Sequence, residues 1–139
     1  MKKIISFLAL IVSLSACTLD NDNNDYYTYQ VLPVTSYVLP ETFTLGQTYT
    51  ITLKYQRPTA CDLFQGIYYS KDLNTRTIAI QTATKNNQAC TQELPELSET
   101  KFDFKVTNTG SYIFKFFKGK DIEGKDTFED VEIQVVDKN

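Results

Sequence analysis

The tightest constraint on this chain is a hydrophobic period of two. Tyr49, Ile51, Leu53 and Tyr55 alternate with Thr50, Thr52 and Lys54, and Phe102, Phe104 and Val106 alternate with Asp103 and Lys105. Tyr112, Phe114 and Phe116 share one parity, and Val131, Ile133 and Val135 alternate with Glu132 and Gln134. Successive side chains of a strand point to opposite faces, so each segment reads as a half-buried strand with one wet face. Weaker candidates are Tyr27 to Leu32, Ser36 to Leu39, Gly66 to Ser70 and Thr75 to Thr82. Turn residues punctuate the segments at Leu45-Gly46-Gln47, Asn108-Thr109-Gly110 and Gly119 to Asp126. No long run has the spacing of an amphipathic helix. The expected fold is all-β: an antiparallel β-sandwich of seven or eight strands over residues 26–139.

Composition narrows the chemistry. The 139 residues contain no histidine and no tryptophan, three cysteines, nine Tyr and nine Phe. Without histidine there is no Ser-His-Asp or Cys-His catalysis and no imidazole metal ligand. The formal net charge is −3, which gives no basic excess for a nucleic-acid backbone. No nucleic-acid partner is expected.

The first residues read as an address. Met1-Lys2-Lys3 is a short basic start, and Ile4 to Val12 is apolar except for Ser6. That run is too short for a bilayer helix, which needs about 20 apolar residues, and fits a signal-peptide core. Leu14-Ser15-Ala16-Cys17 follows. Charge, apolar run and this box together resemble the signal of a bacterial lipoprotein. The resemblance implies cleavage after residue 16 and acylation, palmitate included, of Cys17. Two or three acyl chains would hold the protein on a membrane, because each buried methylene contributes about 0.8 kcal/mol. Residues 17–25 then form a polar, acidic tether, expected to be disordered. Its Asn/Asp-rich composition is similar to surface lipoproteins of Bacteroidetes-type bacteria, and Thr18 after the lipidated Cys also leans towards the outer membrane. Asp20, Asp22 and Asn24 match the start of a calcium loop, but Asp25 replaces its Gly and Val31 its bidentate Glu. No metal and no cofactor is expected.

Asn108-Thr109-Gly110-Ser111-Tyr112 leads into an alternating segment with one more strand to follow. It resembles the tyrosine corner of immunoglobulin-like domains, where the Tyr hydroxyl bonds back to nearby backbone. The resemblance implies an Ig-like sandwich with Tyr112, Asn108 and Gly110 as structural residues. Two features depart from antibody domains. Phe114 stands where they have a Cys, and no Trp is available, so Phe64, Ile67 or Tyr69 is expected to fill the core there. With Cys17 assigned to lipid, Cys61 and Cys90 are an even pair in an exported domain and read as a disulfide stapling two connections. The alternative is a reactive or metal-binding pair, but C-x-x-C spacing is absent.

The remaining motifs are weak. Gly119-Lys120-Asp121-Ile122-Glu123-Gly124-Lys125 has the outline of a phosphate loop, yet Asp126 follows where Ser or Thr must hold magnesium. It reads as a hairpin loop, and no nucleotide is expected. Glu93, Glu96 and Glu99 are interrupted by Pro95 and read as a solvated loop. Lys115, Phe117 and Lys118 offer a basic-aromatic patch on an exposed edge, or simply an edge guarded by lysines. Tyr68-Tyr69 and Tyr26-Tyr27-Tyr29 are candidates for sugar stacking or for packing on the sheet. The expected function is a non-enzymatic binding or structural module of the cell envelope, anchored to the outer membrane through Cys17, with a glycan or envelope protein as partner. Two alternatives stand: an inhibitor presenting the Arg57-Pro58-Thr59-Ala60-Cys61-Asp62 loop to a protease or other hydrolase, and a hydrolase using two of Asp62, Asp72, Glu93 and Glu96.

Overall fold

A computed structural model describes residues 26–86, 89–91 and 93–137. Nine strands follow one another: β1 (Tyr27–Leu32), β2 (Ser36–Val38), β3 (Thr42–Thr44), β4 (Thr48–Tyr55), β5 (Leu63–Asp72), β6 (Thr75–Lys85), β7 (Ser98–Lys105), β8 (Ser111–Lys120) and β9 (Asp126–Val136). They form two packed sheets, an all-β sandwich. The narrow sheet has the order β2-β4-β7. The wide sheet runs β1-β6-β8-β9-β3, with β5 on the other side of β6.

The count exceeds the seven or eight strands expected because β3 is only three residues long, too short to show a period. The sheets are also not purely antiparallel. β6 pairs parallel with β8, and β3 pairs parallel with β9. β6 leaves the wide sheet, β7 returns in the narrow one, and β8 re-enters beside β6; two crossings restore the original direction. Local alternation is the same for both pairings, so it cannot reveal this.

The period of two does its expected work. Ile51, Leu53 and Tyr55 of β4 are buried, as are Phe104, Val106, Tyr112, Phe114, Phe116 and Ile133. They join Leu32, Val34, Phe43, Ile78 and Ile80 in one core. The expectation that Phe64, Ile67 or Tyr69 replaces the missing tryptophan is corrected. Phe64 is 43% and Tyr69 42% exposed, and Ile67 only packs against the core margin. All three sit on β5, an edge that overhangs the three-stranded sheet. Phe43 fills the centre instead, within 5.0–6.0 Å of the rings of Tyr49, Phe104, Tyr112 and Phe114.

At one end, the Tyr112 hydroxyl accepts the backbone N–H of Asn108 at 2.9 Å and of Thr107 at 3.1 Å. Burial pushes the Tyr112 pKa up, but these hydrogen bonds and the charge of Arg76 outweigh it, leaving the phenol below its usual value. Gly110, at φ 89°, makes the turn that a side chain would strain, and its carbonyl accepts from Val135 N at 2.8 Å. The Asn108 amide donates to Asn74 Oδ1, whose own amide donates to the carbonyls of Thr109 and Ser111. The turn is thereby clamped to the β5–β6 hairpin.

At the other end, Cys61 and Cys90 are joined in a disulfide with Cα atoms 5.9 Å apart. Cys61 lies in the β4–β5 connection and Cys90 in the β6–β7 connection. Both connections cross between the sheets, so the bridge ties the two crossings to each other. Closing 29 residues is worth about 3.6 kcal/mol in a chain-entropy estimate. Beside it Asp62 is only 2% exposed. Its carboxylate accepts the amide and hydroxyl of Thr59 at 2.7 and 2.8 Å, the Thr84 hydroxyl at 2.6 Å and the Gln30 amide at 3.3 Å. Burial raises its pKa, yet the Thr84 and Thr59 hydrogen bonds and the Arg57 charge outweigh it and hold the carboxyl below its usual value.

Three stability predictions follow from these two ends. Tyr112→Phe leaves two backbone donors short of a partner and should cost about 1–3 kcal/mol in denaturant titration. Cys61→Ala/Cys90→Ala should cost about 2–4 kcal/mol by the same measurement. Asp62→Asn should cost about 1–3 kcal/mol at neutral pH. Because the folded pKa is depressed, the carboxylate's contribution is complete above the unfolded pKa and is lost as pH falls through the folded one. The gap between wild type and Asp62→Asn should therefore narrow in acid; a gap that widens below pH 4 would contradict this role.

Candidate functional site

The wide sheet presents an outer face that no element covers among the described residues. Parity assigns its side chains. Tyr27, Tyr29 and Val31 of β1 alternate with inward Gln30 and Leu32. Tyr68 and Ser70 of β5 stand opposite Ala79 and Thr77 of β6. Phe117 of β8 stands opposite Phe128 of β9, and Lys115 opposite Asp130. Tyr29 is 73%, Val31 51%, Tyr68 45% and Phe128 39% exposed. That is a large apolar and aromatic area for a sheet facing water.

The face is indented where β6 changes neighbour. Along one edge of β6, residues 75–78 pair with β8, and residues 80–85 pair with β1. Ala79 lies at the changeover. β8 diverges there through a bulge between Phe117 and Gly119. Gly119 sits at φ 106°, and a Cβ on it would meet Pro33 Cγ at 3.6 Å. The result is a groove of about 470 Å³, floored by Ala79, Thr77 and Phe117 and walled by Val31, Tyr68 and Phe128. At its rim Lys120 pairs with Asp126. Val31 also borders a second hollow of about 210 Å³ that adds Tyr29, Gln65 and Gln81. Together they form an aromatic trough with neutral hydrogen-bonding groups, of a size usual for small-ligand sites, roughly 300–1,000 Å³.

Several sequence-level candidates resolve differently. The patch of Lys115, Phe117 and Lys118 is not on an edge, because β8 lies inside the sheet. Phe117 is 7% exposed and packs on Phe128 at 5.8 Å. Lys115 pairs with Asp130 at 3.0 Å and stands over the Phe128 ring. Lys118 ties β8 to the β1–β2 connection, donating to Val34 O at 2.9 Å, and pairs with Glu129 of β9 at 3.2 Å. The same Glu129 accepts the Tyr37 hydroxyl at 2.7 Å. Burial, and then this bond, pushes the Tyr37 pKa up to about 12. Tyr37 meanwhile stacks on Phe116 at 4.1 Å.

Of the tyrosine pairs, Tyr68 and Tyr29 lie on the trough, whereas Tyr69 turns inward on β5 and meets Phe102 at 5.8 Å. Gly119 to Asp126 does form the β8–β9 hairpin loop, with Asp121 Oδ1 accepting the N–H of Glu123 and of Lys125 at 2.9 Å. The β4–β5 loop folds onto buried Asp62, which engages both the amide and the hydroxyl of Thr59. Glu99 belongs to β7, not to the preceding loop, and pairs with Lys101 at 3.1 Å. Asp62 and Asp72 flank opposite ends of β5, about 30 Å apart at strand rise. Among the described residues, no three His, Cys, Asp or Glu side chains are grouped to hold a metal. Cys17 and the Asp20, Asp22 and Asn24 set lie outside the described residues.

No protein-family model matches this chain, and no curated protein and no solved structure shows significant similarity to it.

Proposed function

We propose that the chain is a lipid-anchored lipoprotein of the bacterial outer membrane whose Ig-like sandwich binds an envelope glycan, without catalysis, through the trough on the wide sheet. The anchor rests on the basic start, short apolar run and Leu14-Ser15-Ala16-Cys17 box. The Ig-like reading is supported by the Tyr112 hydroxyl bonded to Thr107 and Asn108, and by β3 lying parallel to the final strand.

The observation that carries the binding function is the trough itself. Tyr68, Tyr29 and Phe128 stay substantially exposed on a sheet that could have buried them. Aromatic faces stack on the C–H faces of sugar rings, while Gln65, Gln81 and Thr77 offer uncharged donors and acceptors. A protein partner of the cell envelope would use the same face but would be expected to cover all of it.

Two measurements test this. Mass spectrometry of the membrane fraction should find acyl chains on Cys17, and Cys17→Ala should release the protein from the membrane; retention of that variant would overturn the anchor. The purified protein should bind one or more neutral envelope polysaccharides in a calorimetric panel. Tyr68→Ala and Phe128→Ala should each weaken that binding about tenfold, the 1.4 kcal/mol scale of one aromatic contact. Ala79→Leu, which fills the floor, should abolish it. Binding unchanged in all three variants would overturn the assignment to this groove.

A further inference from the structure

The inner side of the wide sheet carries a second, chemically distinct cleft. Two sheets of unequal width cannot cover each other. β5 and the start of β6 overhang β7, the open edge of the narrow sheet, and leave a cleft of about 460 Å³. Its apolar wall includes Ile67, Tyr69 and Phe102, and its polar end is made by Lys71, Arg76 and Lys105.

Arg76 is the unusual member. It is 4% exposed, and no carboxylate among the described residues pairs with it. Nη1 donates to the carbonyls of Leu73 and Thr75, both at 2.8 Å. The guanidinium lies 4.9 Å from the Tyr112 ring centroid and 5.8 Å from that of Phe104. Those contacts offset part of the desolvation of a buried charge. They leave Nε buried with no hydrogen-bond partner. A buried, unsatisfied donor on a charged group is costly, commonly more than 1–3 kcal/mol.

Register sharpens the anomaly. Lys71 is the direct cross-strand partner of Arg76, on the same inner face. Like charges in that relation repel. Lys71 and Lys105 form no ion pair with a described residue. The carboxylate that also borders the cleft, Asp103, holds the Thr50 hydroxyl at 2.6 Å. Three cations thus line the cleft against the one carboxylate of Asp103, which is already engaged by Thr50.

We propose that this cleft binds a small organic carboxylate, with its anionic end between Arg76 and Lys71 and its apolar body against Tyr69 and Phe102. Nη1 is engaged on carbonyls, Nε is buried and the Tyr69 hydroxyl bonds the guanidinium, so Arg76 supplies fixed charge at the cleft wall while the exposed Lys71 supplies the free donor. A carboxylate on an apolar body uses charge and wall together, whereas inorganic phosphate would leave the wall of Tyr69 and Phe102 bare. The apolar wall selects a ligand with a ring or short hydrocarbon body. This site is independent of the outer trough and stands or falls separately from it.

The test is NMR titration of the ¹⁵N-labelled protein with benzoate, benzyl alcohol and inorganic phosphate. Benzoate should shift the Arg76 side-chain Nε–H resonance and the Lys71 and Tyr69 amides. Lys71→Gln, on an exposed side chain, should keep the fold and weaken benzoate binding about tenfold. Tyr68→Ala on the outer trough should leave benzoate binding unchanged. Absence of an Arg76 Nε–H shift at saturating benzoate would overturn the site. An equal response to benzyl alcohol would show apolar filling alone and would overturn the anion role. Phosphate binding as tightly as benzoate would overturn the carboxylate assignment, as would Lys71→Gln binding benzoate at wild-type strength.

Discussion

Everything in this sandwich is organised around the aromatic contact between its two sheets. Phe43, Phe104, Tyr112 and Phe114 bring rings from β3, β7 and β8 to a common centre, with centroid separations of 4.9–6.0 Å. Edge-to-face ring pairs add about 0.5–1.5 kcal/mol each beyond the area they bury. The cluster also fixes topology. Phe43 is the only side chain of the short β3 that is fully buried, and its burial holds β3 parallel against β9. Tyr112 sends its hydroxyl the other way, to the turn that launches β8. Arg76 closes the cluster from the side as a cation over two of its rings.

Both candidate binding surfaces are consequences of how strands are distributed around that centre. Three strands on one side face a wide sheet on the other, so β5 overhangs and the inner cleft opens. On the outer side, β6 passes from β8 to β1 at Ala79, and the small side chain leaves the dent that Tyr68 and Phe128 enclose. The disulfide and the Asp62 network hold the two inter-sheet crossings at one end, and the Asn108–Asn74 clamp holds the hairpin at the other. A sheet fixed at both ends presents rigid side chains, which lowers the ordering cost of binding.

The four long segments were legible in the sequence because each buries one face only, so parity reports burial directly. β5 and β6 were harder. β6 is shielded on both faces, with Ala79 and Ala83 buried outside as Ile78 and Ile80 are inside, so its alternation is blurred. β3 was missed because three residues contain no period. Parallel pairing was hidden because side-chain alternation is blind to strand direction. The staple Cys61–Cys90 could be read from cysteine arithmetic, whereas the trough could not. It is assembled from five strands, and its floor depends on a register changeover that no local pattern encodes. Tyr68 and Tyr29 are visible as candidates; the outward parity of Phe117 predicts exposure, but the neighbouring ring of Phe128 covers it.

The central claim is that the outer trough is occupied where the protein works. Hydroxyl-radical footprinting on intact cells, compared with the purified protein, reads this directly. Tyr68, Tyr29 and Phe128 should be protected several-fold on cells, an effect beyond the order of 1 kcal/mol of occupancy, while exposed Leu73 and Ile122 at the hairpin turns should label equally in both. Equal labelling of Tyr68 and Phe128 in the two samples would contradict it.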